Sequence, residues 1–135
     1  MTHNTQTAIR HISEDRLQSD IWVRAWTEYP EARRHMWAVP NGFKLNPASA
    51  RIARATGLLP GVWDLHLFWY GKFYIFENKV GNNQLTVDRI VNGKKHFGQK
   101  EWGEMMVAHG AKSYVIRSEE QFFTIFDKII RPYGK

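Results

Sequence analysis

The chain has 135 residues, no cysteine, and an excess of basic over acidic side chains that gives a formal net charge of +6. This length suits one domain with its own core, and the lack of cysteine excludes disulfides and thiolate metal sites. No apolar run approaches the roughly 20 residues that cross a bilayer, and the positive charge favours a polyanionic partner such as nucleic acid.

The N-terminal segment, residues 1–10, is polar and shows no periodic pattern. We therefore expect a flexible tail, followed by a single domain over residues 11–135. The segment lacks the apolar stretch of a signal peptide. Together with the absence of cysteine, this predicts a cytoplasmic protein.

The first helix is predicted to begin after Ser13, which suits an N-cap, and to end near Tyr29 because Pro30 follows. Glu14 and Gln18 fall on its inward side. The apolar stripe of this helix repeats at helical spacing and consists of Leu17, Ile21 and Ala25.

A short strand is predicted at residues 37–39, before a turn at residues 40–42. Asn46 and Pro47 then have the residue types of an N-cap and a first helical position, and Gly57 suits the left-handed residue after that helix. Two strands follow at residues 63–70 and 73–80, joined at Gly71-Lys72. Apolar residues occupy both of their faces, which is typical of central strands.

A hairpin is predicted at residues 84–97, because Asn92-Gly93 is a strong type I′ turn signal. A helix over residues 99–109 should place Trp102, Met105 and Met106 inward. A strand at residues 112–117 and a final helix complete the chain. Ser118 and Gln121 form a capping-box pattern for that helix, Pro132 closes it, and its stripe is Phe122, Ile125, Phe126 and Ile129.

One isolated aspartate and a Glu-x-Lys pattern stand on the two central strands. Glu77 and Lys79 should project to the same side of their strand, and Asp64 can meet them if the two strands pair. Mg²⁺ and Mn²⁺ prefer carboxylate oxygens, with water and phosphate at the remaining positions. The carbonyl of Asn78 is a candidate third ligand, and Lys79 could orient an attacking water.

A structural alternative exists for the same residues. Asp64 could cap a strand while Glu77 and Lys79 form an ion pair at the end of the sheet, since this spacing recurs by chance in many proteins. The spacing alone leaves both interpretations open.

At these residues the sequence resembles the PD-(D/E)XK nuclease superfamily, and more closely its VRR-NUC branch of virus-type replication-repair nucleases. The resemblance extends from Glu14 to about Ile130. The matching pieces are, in chain order, Glu14 with Gln18, Pro40-Asn41-Gly42, Arg51 and Arg54 on a helix, Gly57, Gly61-Val62-Trp63-Asp64, Glu77-Asn78-Lys79, and Gln99 through Gly110. Two features depart from the family pattern: Trp63 replaces a proline, and the hairpin at 84–97 replaces a short link.

The resemblance implies a restriction-endonuclease-like α/β fold, in which a small mixed central sheet is flanked by helices and the hairpin is an insertion. It implies hydrolysis of DNA phosphodiesters with Mg²⁺ or Mn²⁺, leaving 5′-phosphate and 3′-hydroxyl ends. Glu14 would lie near the metal and help bind a second ion, and Gln99 would contact the nucleophile or the scissile phosphate. The expected catalytic set is Glu14, Asp64, Glu77, Lys79 and Gln99.

Compact members of this branch resemble phage enzymes that cut branched DNA such as Holliday junctions. The resemblance therefore implies action in the host cytoplasm if the chain is phage-encoded. Symmetric cutting of two strands requires two sites, so we expect a homodimer. The alternatives are a nonspecific or flap nuclease of the same fold and a non-catalytic DNA-binding protein. The expected DNA-contacting residues, to which Arg33 and Arg34 could add, are Asn41, Lys44, Arg51, Arg54, Arg89, Lys94 and Lys95.

Overall fold

The computed structural model describes residues 13–40 and 45–132. The described strands are β1 Met36–Ala38, β2 Leu65–Trp69, β3 Lys72–Asn78, β4 Arg89–Val91, β5 Lys94–His96 and β6 Lys112–Ile116. A four-stranded sheet has the order β1-β2-β3-β6, in which the first three strands are antiparallel and β6 is parallel to β3. The strands β4 and β5 form a separate antiparallel hairpin.

The described residues form four α-helices, and all four begin at the residues that the sequence predicts. The side chains of three N-cap residues each accept a hydrogen bond from the backbone N–H of the residue three positions later. The N-cap residues are Ser13, Asn46 and Ser118. In the last case Gln121 accepts from Arg117 N rather than from the capping serine, so the capping box is only half formed. The helices are α1 Glu14–Glu28, α2 Pro47–Ala55, α3 Gln99–Ala108 and α4 Glu119–Ile130, with a 3₁₀ turn at Pro30–Ala32.

The two faces of the sheet are covered by different helices. On one face, α1 and α4 build the apolar core, in which Ile21, Leu65, Phe76 and Phe122 are almost completely excluded from solvent. On the other face lies α3, whose Trp102 stacks on the His66 ring at 5.5 Å. The predicted mixed α/β fold, with a small mixed sheet flanked by helices, is therefore confirmed.

The predicted pairing of the two central strands is also confirmed, with a small correction at their turn. Tyr70 and Gly71 both have positive φ, at 47° and 75°, so the turn lies there and not at Gly71-Lys72. Two consecutive positive φ values are the geometry that joins antiparallel strands by a two-residue loop. The strands are shorter than predicted, which leaves Asp64 just before β2 and Lys79 just after β3.

The predicted hairpin forms about Asn92-Gly93, whose φ values are 51° and 77°. Its ladder is shorter than residues 84–97, however, because residues 84–88 pair with no strand. They run instead along the beginning of α3 and bond to it there.

The predicted orientation of α3 was partly wrong. Met105 is 49% exposed, whereas Gly103 is buried against the indole of Trp63. Trp63 is itself 3% exposed, and its Nε1 donates to the carbonyl of Gln99 at 2.8 Å. A glycine allows the helix to approach this large ring closely, and that approach turns Met105 outward.

Gly103→Ala should destabilise the protein by about 1–3 kcal/mol, the usual cost of overpacking. A Cβ at this position would lie 2.5 Å from the Trp63 ring. The clash with Trp63 should outweigh the roughly 0.5–1 kcal/mol by which alanine normally stabilises a helix interior relative to glycine. Urea unfolding measures the difference, with the exposed Glu104→Ala on the same helix as control. An unchanged midpoint would mean that α3 can shift away from Trp63.

Among residues 13–40 and 45–132, no helix is long and apolar enough to cross a membrane. The predicted tail at residues 1–10 lies outside the described residues, as do Asn41 and Lys44.

Candidate active site

The carboxylates of Asp64 and Glu77 meet at one end of the sheet, as their spacing predicts. Because Leu65 pairs with Phe76, the residue before β2 stands opposite the second-last residue of β3. The backbone N–H of Asp64 donates to Glu77 Oε1 at 3.0 Å, and the N–H of Asn78 donates to Asp64 Oδ2 at 2.9 Å. Each carboxylate is thus held by the backbone of the other strand, which fixes the pair without a cation.

Lys79 lies beside this pair but makes no ion pair with it. The residue is 7% exposed, and its backbone N–H donates to the carbonyl of Ile116 at 2.9 Å. Within the described part of the chain, no carboxylate oxygen comes within 4.0 Å of its ammonium group. The alternative of a Glu77–Lys79 ion pair at the sheet end is therefore not what the structure forms.

Gln99 is the first residue of α3 and reaches the same carboxylate. Its Nε2 donates to Glu77 Oε2 at 2.7 Å. Its Oε1 accepts from the backbone N–H of Thr86 at 3.1 Å, and its own N–H donates to the Thr86 hydroxyl at 3.1 Å. Since the carbonyl end of the amide is occupied by Thr86, the NH₂ end must point at Glu77.

Sequence reasoning missed Thr86 and the role of Trp63. Thr86 lies in what was predicted to be a strand, and no local pattern connects it with a residue 13 positions on. Trp63 was noticed only as a substitute for proline, yet its bond to the Gln99 carbonyl positions the start of α3. A buried tryptophan normally finds a partner for its indole N–H, which was the one available signal.

The pKa values of both carboxylates are raised. Burial, followed by the charge of Asp64, raises the pKa of Glu77 to about 8, and the nearby Lys79 charge offsets part of that rise. Burial also raises the pKa of Asp64, with a further contribution from the charge of Glu14. Without a metal, the pair therefore retains a proton near neutral pH.

Glu14, which begins α1, is the third acidic residue at this site. Its charge acts on both Asp64 and Glu77, and its Oε2 accepts from the side-chain amide of Asn83 at 3.2 Å. Gln18, one helical turn further along α1, accepts from the side chain of Asn78 at 3.3 Å. Glu14 and Gln18, which the sequence places on the inward side of α1, thus both lie near the end of β3.

Glu14, Asp64, Glu77, Thr86 and Gln99 border an open cleft of about 500 Å³, whereas the buried Lys79 is not among its lining residues. Of the predicted DNA-contacting residues, Arg54 lines this cleft, while Arg51 is exposed on the same helix and does not. Arg33 lies elsewhere, with its guanidinium bonded to the carbonyl of Trp26. The lining residues are Glu14, Leu45, Ala50, Arg54, Leu58, Pro60, Gly61, Val62, Asp64, Glu77, Thr86 and Gln99.

The donor chemistry of this cleft fits a hard divalent cation. In residues 13–40 and 45–132, no three acidic or histidine side chains form a ready-made metal cluster. Mg²⁺ does not require one, because it is usually held by one or two carboxylates plus water and phosphate. Asp64 and Glu77 supply two such carboxylates, and two neighbouring anions with raised pKa values gain from a cation between them. The Asn78 carbonyl remains a predicted ligand.

Relative to Glu77→Gln, the metal-free protein should lose stability as the pH rises from about 4.5 to 8. In that window the folded state holds a proton on Glu77 that the unfolded chain has released, so folding stability falls with pH. One proton limits the contribution of Glu77 to a slope of about 1.4 kcal/mol per pH unit. The raised pKa of Asp64 adds to this slope and the lowered pKa of His66 opposes it. Urea unfolding in EDTA across this range measures it. Glu77→Gln, which cannot titrate, should flatten the profile, and equal slopes would contradict the raised pKa.

Comparison with protein-family models, with curated proteins and with solved structures found no match to this chain.

Proposed function

We propose that this protein is a divalent-metal-dependent DNA endonuclease that hydrolyses phosphodiester bonds, with a restriction-endonuclease-like fold and Mg²⁺ or Mn²⁺ as its cofactor. The observation that carries the proposal is the interlocked Asp64–Glu77 pair, with Lys79 buried beside it and no ion pair to account for that lysine within the described residues. Burying an ammonium group and two carboxylates is costly. A catalytic role explains why the chain retains all three.

Each residue has a distinct part in the proposed reaction. Asp64 and Glu77 would hold the metal ion, with the Asn78 carbonyl as a further oxygen donor, and Glu14 would help bind a second ion or orient a water. A bound ion lowers the pKa of its water and neutralises charge on the phosphate. Lys79 would hydrogen-bond the attacking water, orient it and stabilise the negative charge that develops on phosphate oxygen.

Gln99 contributes by fixing the orientation of the Glu77 carboxylate. Its amide N–H occupies one lone pair of Oε2, and the Asp64 backbone N–H occupies one of Oε1. Each oxygen keeps a further lone pair, so the carboxylate can still bind a cation while its rotation is restricted. Such preorganisation reduces the cost of assembling the site when substrate arrives.

With a metal ion bound to its acidic side chains, the cleft would suit a DNA backbone. Arg54 borders the same cleft as Asp64 and Glu77, and the chain as a whole carries a net charge of +6. We infer a cytoplasmic enzyme that acts on branched DNA such as a four-way junction, as a homodimer whose two sites cut two strands. A nonspecific or flap nuclease of the same fold is the alternative substrate class.

A panel of four-way junction, flap, linear duplex and single-stranded DNA, each with Mg²⁺, Mn²⁺ or EDTA, tests the substrate class. Preferred, paired cuts in the junction support the branched substrate. Equal rates on all four DNAs support a nonspecific nuclease, and preferred cutting of the flap supports a flap nuclease. Binding of the panel without cleavage in either metal would favour the non-catalytic DNA-binding protein.

A further inference from the structure

The β4–β5 hairpin projects from the domain with an exposed ladder. All six of its strand residues are exposed, so the ladder itself buries little apolar surface. A two-stranded hairpin of this kind is only marginally stable alone in water. Its position must therefore be maintained at its root, where the chain leaves and rejoins the domain.

The root is bonded to the start of α3 by both backbone and side chains. Asp88 accepts from the N–H of Gly98 at 2.7 Å, and its own N–H donates to Glu101 at 2.9 Å. Thr86 bonds to Gln99 as described above, and its carbonyl accepts from the N–H of Lys100 at 2.9 Å. The residue that contacts Glu77 is thus the same residue that anchors the hairpin.

Two glycines allow the backbones to meet at this root. A Cβ on Gly98 would lie 2.3 Å from the backbone of Val87, and one on Gly61 would lie 3.0 Å from the Gly98 carbonyl oxygen. Gly61 also has a φ of +87°, which favours glycine. Since Gly61 lies three residues before Asp64, the hairpin root packs directly against the segment that leads into the candidate active site.

The two faces of the hairpin differ in charge. Register pairs Arg89 with His96 and Val91 with Lys94, so these four side chains share one face. Lys95 lies on the opposite face, where its ammonium group is 3.6 Å from the Asp88 carboxylate. Among the described residues, neither Arg89 nor Lys94 has a carboxylate within 4.0 Å. Arg89 and Lys94 therefore have no ion-pair partner among the described residues, whereas Lys95 is paired with Asp88.

We propose that the hairpin face formed by Arg89, Val91, Lys94 and His96 binds the phosphate backbone of the DNA outside the cleft, at a position fixed relative to Glu77 through Gln99. This rests on the proposed function and deepens it. Arg89 and Lys94 are exposed cations on a hairpin whose root is bonded to α3, and they complement a polyanion. The only apolar side chain of the four on this face is that of Val91, so the face is mainly polar. Lys95, predicted from sequence to contact DNA, has no part in this surface.

The neighbouring lysines provide a matched pair for the test. DNA affinity is measured over a series of salt concentrations for wild type, Arg89→Ala, Lys94→Ala and Lys95→Ala, in Ca²⁺ so that binding is read without cleavage. We expect Arg89→Ala and Lys94→Ala each to reduce the slope of log affinity against log salt by about 0.9, the value of one phosphate contact. Lys95→Ala should leave the slope unchanged.

All three positions are exposed, so unfolding is not the expected explanation of a loss, and thermal melting of each variant checks this. Equal slopes for wild type, Arg89→Ala and Lys94→Ala would overturn the proposal, even if wild type cuts DNA. A reduced slope for Lys95→Ala alone would overturn it too. A change in sedimentation mass with no change in slope would make this face a subunit contact instead. If wild type binds DNA without cutting it, the slopes still decide this proposal while the nuclease proposal fails.

Discussion

Glu77→Gln should reduce metal-dependent DNA cleavage about 10³-fold or more. The substitution preserves the shape of the side chain but removes the charge of a proposed metal ligand. A metal ion supplies several kcal/mol of transition-state stabilisation, and each 1.4 kcal/mol or so is a factor of about ten in rate. Initial cleavage rates at saturating Mg²⁺ measure the loss, with Glu104→Gln, an exposed glutamate on α3, as the matched control.

The same substitution should act on stability in the opposite direction. Burial and the Asp64 charge disfavour the ionised form of Glu77, and a neutral glutamine removes this cost above about pH 8. The gain should offset the one hydrogen bond that is lost where the glutamine NH₂ group faces Asp64 N–H or Gln99 Nε2. Lost activity accompanied by unchanged or greater stability identifies a residue retained for chemistry. Near-wild-type cleavage by Glu77→Gln would remove Glu77 from the metal site.

Lys79→Met should lower the cleavage rate by about 10²–10⁴-fold, the range for a side chain that positions or moves a proton in the transition state. Methionine fills similar space in this buried position but has no ammonium group. Mn²⁺ affinity should be maintained or increased, because a positive charge that acts on Asp64 and Glu77 is removed. Separate measurement of Mn²⁺ binding and of cleavage distinguishes these effects.

The matched control for Lys79→Met is Lys72→Met, at the exposed opposite end of the same strand. It should leave both cleavage and metal binding unchanged. A similar loss in both variants would mean that the effect is general charge attraction of DNA. A loss of Mn²⁺ binding in Lys79→Met would mean that the lysine is structural.

The features that the sequence predicted correctly depend on short stretches of chain. Ser13, Asn46 and Ser118 cap helices with bonds that span three residues. Asn92-Gly93 determines the hairpin turn through its own backbone preferences. The meeting of Asp64 with Glu77 at one end of the sheet also follows from local information, since a tight turn pairs the two strands. The exact register does not, because a turn at Gly71-Lys72 would set Asp64 opposite Lys79.

The features that the sequence did not predict depend on packing between distant segments. Met105 is exposed because Gly103, and not a larger residue, faces Trp63, which lies on a different segment. Thr86 orients Gln99 only because residues 84–88 run along α3. The ion pair between Lys95 and Asp88 likewise depends on the position of Asp88 at the hairpin root, on the same face as Lys95. No pattern within one element contains this information.

The most direct measurement is the cleavage of labelled four-way junction and duplex DNA by wild type and Glu77→Gln prepared in parallel, each with Mg²⁺, Mn²⁺ or EDTA. We expect wild type to cut in one or both metals and to leave 5′-phosphate ends. We expect no cutting in EDTA and none by Glu77→Gln. Absence of cutting by wild type in both metals, or equal cutting by the two proteins, would contradict the assignment of Asp64, Glu77 and Lys79 as a nuclease site.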